Sequence, residues 1–268
     1  MRHEVVTITP EYAEYLLGQN TRNRKISPSN LNTVISALKR GEWKLNGEAI
    51  KVAHDGVILD GQHRLLAVVR TGIPIRTLLI TGLAADTQQT MDTGKARSLS
   101  DVLGLRGYKN SPSVAATVAA VIRSEDYSLR TSVGVTTGYP VTVPQAIARL
   151  EAEPSLLDLA AFSRRYAPIG MAGRVAAVSY YAFSKSDQDD TDHFFDKLLS
   201  GEGLDRGNPI LTLRNALLSL RTERGSKNQT YVLAITIKAW NKFRAGDSCS
   251  ILRFTPGGAN PEKFPHPQ

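Results

Sequence analysis

The densest run of chemistry-bearing side chains is Asp60-Gly61-Gln62-His63-Arg64. It lies between the apolar pieces Val57-Ile58-Leu59 and Leu65-Leu66-Ala67. This order predicts a strand, a tight glycine turn and a helix that opens on polar residues. A helix N-terminus offers unsatisfied backbone N–H groups and a partial positive charge, which suits an anion. Gly61 lets the backbone approach that anion closely. Arg64 can grip phosphate oxygens with its planar fork. His63 can donate to a phosphate or move a proton near neutral pH. Asp60 can cap the helix, bind Mg2+ through water or act as a base. The same residues equally suit a plain capped helix whose Arg64 pairs with Asp60. Neither a P-loop nor a dinucleotide-binding glycine fingerprint occurs in the chain.

The elements around this run follow from local signals. Val5 to Ile8 predicts a short strand. Thr9-Pro10-Glu11 predicts a helix start, with Thr as N-cap and Pro in the first helical position. Ser27-Pro28 starts a second helix, in which Leu31, Val34, Ile35 and Leu38 fall on one face. Ala49 to Ala53 and Val57 to Leu59 flank His54-Asp55-Gly56, the pattern of a hairpin. His63 to Thr71 predicts a helix and Ile75 to Thr81 a strand. Past Gly107 strand signals fade. Helices are predicted from about Val114 to Phe243, interrupted by a long Gly/Thr/Ser loop over Ser128 to Val143. The expected fold class is α+β: residues 1–106 as a small mixed sheet with helices, and 107–254 as an all-helical domain. Residues 255–268 are expected as a Pro/Gly-rich tail, extended or disordered.

The DGQHR run followed by Leu65-Leu66-Ala67 resembles the signature of the ParB/sulfiredoxin superfamily. Partition proteins carry G-E-R-R at this turn, sulfiredoxins G-C-H-R and a free-serine kinase of the same fold G-H-T-R. The surroundings resemble ParB-like proteins of actinobacterial phages and prophages. The matching pieces are Asn23-Arg24, Gly41-Glu42-Trp43, Gly47-Glu48-Ala49-Ile50, Met91-Asp92-Thr93-Gly94 with Arg97, and Ala239-Trp240-Asn241. The resemblance implies that Gly61, Gln62, His63 and Arg64 cradle the phosphates of a nucleotide, ATP or CTP, with Mg2+. It nominates Glu48, His63 and Asp60 as catalytic groups, although Glu48 equally suits a surface position at a strand start. It places Asn23, Arg24, Asp92, Thr93 and Arg97 as further nucleotide-binding residues; from the residues alone, Asn23-Arg24 equally suit a solvated loop, and Asp92 a turn cap paired with Arg97. Gln62 stands where sulfiredoxins have their catalytic Cys, which argues against sulfinic-acid repair. His63 replaces the first Arg of the partition proteins, which argues against their clamp-type CTP switch.

Composition sets the outer limits. The 268 residues carry 33 Lys+Arg against 25 Asp+Glu, a net charge of +8. That balance favours a polyanionic partner such as DNA, alongside the nucleotide. A single cysteine, Cys249, excludes an internal disulfide and a Cys-based zinc cluster. No apolar run approaches the roughly 18 residues of a membrane span, and the opening MRHEVVTITPEY does not read as a signal peptide. A cytoplasmic protein without a membrane partner is therefore expected, with a homodimer left open. The expected activity is that of an NTPase or phosphotransferase in phage or prophage DNA metabolism. The alternatives are a DNA-binding regulator and a ParB-like nuclease. Arg214, Arg221, Arg224, Lys227, Lys238, Lys242 and Arg244 could track a phosphate backbone or form the wet side of amphipathic helices.

Overall fold

The computed structural model describes residues 1–19, 26–90, 98–134, 138–222, 228–258 and 260–268. Asn23, Arg24, Asp92, Thr93, Arg97, Arg224 and Lys227 lie outside the described residues. The fold is mixed α+β, with a four-stranded sheet and twelve α-helices among the described residues. The chain forms two compact units, Met1–Arg97 with Thr137–Pro144, and Ser98–Thr136 with Gln145–Gln268.

The first unit contains β1 (Arg2–Ile8), α1 (Pro10–Gly18), α2 (Pro28–Lys39), β2 (Ala49–Ala53), β3 (Ile58–Asp60), α3 (Gln62–Thr71) and β4 (Ile75–Leu83). Both early helices begin as the sequence predicts: the side chains of Thr9 and Ser27 accept from Tyr12 N–H and Asn30 N–H, and a Pro follows each cap. Strand order is β1-β4-β2-β3. β4 pairs antiparallel with β1 and parallel with β2, and β2 pairs antiparallel with β3. Ile8, Leu16, Leu31, Ile50, Ile58, Leu65, Val68 and Leu79 close one apolar core, with Trp43 packed against it.

One irregularity bears on chemistry. Lys51 pairs with Asp60 and Val52 with Ile58, so Leu59 is an extra residue in β3. Successive strand side chains alternate faces, so without the bulge Asp60 would share the core-facing side of Ile58. The bulge turns Asp60 to the side of Lys51 instead.

The second unit begins with α4 (Leu99–Leu105), which packs on α5 (Ser111–Asp126). It continues through α6 (Leu129–Ser132), α7 (Val143–Ala152), α8 (Ser155–Ser163), α9 (Gly173–Ser184), α10 (Gln188–Ser200), α11 (Pro209–Thr222) and α12 (Gln229–Arg244). A short 3-10 turn, Arg164–Ile169, follows α8. The stretch expected as an uninterrupted loop holds α6, because Ser128 caps a single turn through Thr131 N–H. The core is aromatic: Phe183 stacks on Trp240 with centroids 4.5 Å apart, and Phe194 meets Trp240 edge-on at 5.6 Å. The tail is extended along α12. Trp240 Nε1 donates to Gln268 O, Asn241 Nδ2 donates to His266 O, and Phe264 meets Phe254 edge-on.

A polar network sits on α5, α7 and α9. Glu125 accepts from Tyr181 Oη at 2.7 Å, from Lys185 Nζ at 3.0 Å and from Arg149 Nη2 at 3.3 Å. Burial, the largest single influence, pushes the Glu125 carboxyl up. The two hydrogen bonds and the charges of Arg149 and Lys185 together outweigh it and hold the group below its ordinary value. A depressed carboxyl stabilises the fold above its unfolded pKa, and that contribution is lost as pH falls through the folded one. We expect the melting temperature of the second unit to be flat near neutrality and to fall as pH drops below the ordinary carboxylate range of 4.5. Glu125→Gln should be less stable at neutral pH and show a shallower acid limb in a melting series.

Candidate functional site

Four features meet where β3 passes into α3. The first is Gly61, the N-cap of α3, with φ +100°. A Cβ there would sit 2.9 Å from Ile50 Cγ1 and 3.3 Å from Ile50 Cα. The backbone thus turns tightly over β2, in a conformation that glycine alone adopts cheaply. The second is the helix mouth: no side chain caps it, so its first amides present positive potential.

The third feature is a shared carboxylate. Asp60 Oδ2 lies 3.1 Å from Arg64 Nη2 and 3.5 Å from Lys51 Nζ. Asp60 and Arg64 are only 15% and 14% exposed at the side chain, so this pair is better shielded from solvent than a surface bridge. Two cations share one carboxylate, and a positive charge is left over. The fourth is a pair of orphaned atoms: Arg64 Nη1 and Gln62 Oε1 are buried without a hydrogen-bond partner among the described residues. Buried polar groups are normally satisfied, and each unpaired one costs about 1–3 kcal/mol. An acceptor facing Nη1 and a donor facing Oε1 would relieve that cost.

His63 takes a different position. Its Nε2 accepts from Ser27 N–H at 3.0 Å. A ring nitrogen that accepts is unprotonated, so this contact favours the tautomer with the proton on Nδ1. Ser27 is itself the N-cap of α2. His63 therefore ties the starts of α2 and α3 together, and in this arrangement Nε2 is not a donor to phosphate.

The other expected residues distribute as follows. Glu48 is exposed at the N-terminal lip of β2; its C=O accepts from Thr77 Oγ1 at 3.0 Å and its N–H donates to Asn46 Oδ1 at 3.1 Å. Glu42 is held by Arg40 Nε at 2.9 Å and Thr142 Oγ1 at 2.6 Å. Trp43 Nε1 donates to Arg76 O at 2.9 Å. Gly41-Glu42-Trp43 thus anchors the first unit rather than lining the turn. Lys51 escaped the sequence reading, because its approach to Asp60 depends on the bulge at Leu59, which has no local signature.

The basic side chains of α11 and α12 hold internal partners. Arg214 Nη1 donates to Leu198 O at 2.8 Å and to Leu199 O at 2.9 Å, closing the end of α10. Arg221 donates to Pro168 O. Lys238 bridges Arg253 O and Glu262. Lys242 Nζ lies 3.5 Å from Asp247, and Arg244 pairs with Asp187 and Asp190. These side chains serve helix ends, turns and the tail. His193 stacks on Phe243 with centroids 5.8 Å apart, a packing role. Among the described residues no three His, Cys, Asp or Glu side chains gather as metal ligands. No helix among them is long and apolar enough to cross a membrane. Set against family models, curated proteins and solved structures, the chain matches none.

Proposed function

We propose that the first unit is a ParB/sulfiredoxin-like module whose Gly61–Arg64 turn holds the phosphates of ATP or CTP. On this reading the chain acts as an NTPase or phosphotransferase in phage or prophage DNA metabolism. The observation that carries the proposal is the buried, unpartnered Nη1 of Arg64 beside an uncapped helix mouth. A phosphate oxygen supplies the acceptor that Nη1 lacks, and the helix amides supply further donors. Lys51 adds a second cation on the same Asp60 oxygen. Asp60, gripped by both cations, fits the role of a counter-ion that sets their positions better than that of a free base. Glu48, an exposed carboxylate directly before β2, is the group assigned to orient a nucleophile.

Mg2+ is a separate matter. The described carboxylates provide no cluster for it, and Asp60 is committed to Lys51 and Arg64. The described residues do not fit a protein-held magnesium. A DNA-reading surface on α11 and α12 finds little support, because their cations are engaged internally.

Calorimetry with ATP, CTP and GTP, each with Mg2+ in the buffer, tests the proposal. The native chain should bind at least one of them. Arg64→Ala should weaken that binding by about tenfold to a hundredfold, the loss of a charge-assisted contact in a shielded site. Asp60 retains Lys51 as its partner in this variant, so the fold should persist, checked by circular dichroism. No binding by the native chain, or undiminished binding by the variant, overturns the proposal.

A further inference from the structure

The core of the second unit closes at Leu252 and Phe254, which are buried. The residues after Phe254 are of another kind. Among those described none is fully buried, and only Phe264, Pro265 and Pro267 are half-buried. Gly257 and Gly258 stand in open space, with no atom within 4 Å of where a Cβ would sit. The segment that follows them nevertheless keeps to one path, along α12.

Three side chains of α12 hold that path. Lys238 pairs with Glu262 and donates to Arg253 O at 2.7 Å. Trp240 Nε1 donates to Gln268 O at 3.0 Å. Asn241 uses both ends of its amide: Nδ2 donates to His266 O at 2.8 Å, and Oδ1 accepts from Gln268 N–H at 3.1 Å. A carbonyl and the N–H two residues on lie along one edge of an extended chain, whereas a helix ties both into its own ladder. Asn241 therefore reads main chain in its extended form. Pro267, between the two groups, has no N–H to leave unpaired.

The segment is built to arrive in that form. Phe264 and His266 each precede a proline, which biases them to extended backbone, and the ring fixes φ of Pro265 and Pro267 at about −65°. Little conformational entropy is left to lose on docking. Two side chains add selectivity: Glu262 meets Lys238, and Phe264 meets Phe254 edge-on at 5.6 Å.

We propose that this face of α12 is a docking groove for an extended protein segment bearing an acidic residue, an aromatic residue two positions on and prolines behind it, and that the chain's own tail occupies the groove as a displaceable strap. A partner segment of the same chemistry meets side chains already in position. The short tether gives the tail an effective concentration of about millimolar order, so the strap keeps weak competitors out. The groove is independent of the phosphate reading, since its residues all belong to the second unit.

Fluorescence anisotropy with a fluorescein-labelled peptide, Pro-Glu-Lys-Phe-Pro-His-Pro-Gln, the sequence of residues 261–268, tests this. In the full chain, Phe264→Asp loosens the tail and leaves every side chain of α12 in place. The peptide should bind this variant saturably. It should bind the native chain about tenfold or more weakly, because the tethered tail competes. Adding Asn241→Ala to the Phe264→Asp chain should weaken the peptide by about tenfold, the loss of two hydrogen bonds, while circular dichroism stays native. A peptide of the same composition in scrambled order should not bind. The proposal is overturned if the peptide does not saturate on the Phe264→Asp chain, if the native chain binds it equally well, if Asn241→Ala leaves its affinity unchanged, or if the scrambled peptide binds alike.

Discussion

Gly61→Ala should cost the first unit about 2–4 kcal/mol and abolish the proposed phosphate binding with it. Two penalties combine. A backbone at φ +100° is strained for any residue with a Cβ, by about 1–3 kcal/mol. The added carbon would also stand 2.9 Å from Ile50 Cγ1 and 3.3 Å from Ile50 Cα. Ile50 is fully buried in the first core, so its side chain has nowhere to retreat, and β2 or the start of α3 must shift. Overpacking of this kind costs about 1–3 kcal/mol. Such a shift would also move the helix mouth and Arg64 relative to Lys51. The readout is built in. The chain has two tryptophans, of which Trp43 packs against the first core and Trp240 is buried in the second. In a Trp240→Phe background, denaturant unfolding followed by Trp43 fluorescence should show an earlier midpoint for Gly61→Ala. An unchanged midpoint would mean that the turn is looser than its geometry states.

The starts of α1 and α2 were readable because their signals are local: a hydroxyl cap and a proline within one turn. The buried face of α2 was readable because Leu31 and Leu38 recur at helical spacing. The glycine turn was readable for the same reason, since Gly61 and Arg64 are neighbours in sequence. What stayed hidden is non-local. Lys51 meets Asp60 through a bulge that shifts register by one residue, and no residue type announces it. His63 looked like a free imidazole, but its Nε2 meets an amide 36 positions away. Arg214 and Arg221 looked like the wet side of a helix, but they reach carbonyls at Leu198, Leu199 and Pro168. A charged side chain's partner is decided by tertiary packing, whereas its place on a helix face is decided by spacing alone.

Trp240→Ala should destabilise the second unit by about 3–5 kcal/mol, the largest single effect expected in this chain. Trp240 is fully buried. It stacks on Phe183 at 4.5 Å with an interplanar angle of 14°, and packs edge-to-face with Phe194 at 5.6 Å. Truncating a buried tryptophan removes both the transfer energy and the contacts that a residual cavity cannot restore. Its Nε1 also donates to Gln268 O at 3.0 Å, so the variant releases the tail as well. Trp240→Phe separates the two contributions. It keeps most of the ring packing but deletes the hydrogen bond, and should cost about 1–2 kcal/mol. The difference between the variants in chemical denaturation, followed by circular dichroism at a helical wavelength, assigns the remainder to packing. Domains of this size hold only about 5–15 kcal/mol in total. The alanine variant should therefore stand close to unfolding at physiological temperature. Equal losses in the two variants would place the energy in the tail contact and not in the aromatic stack.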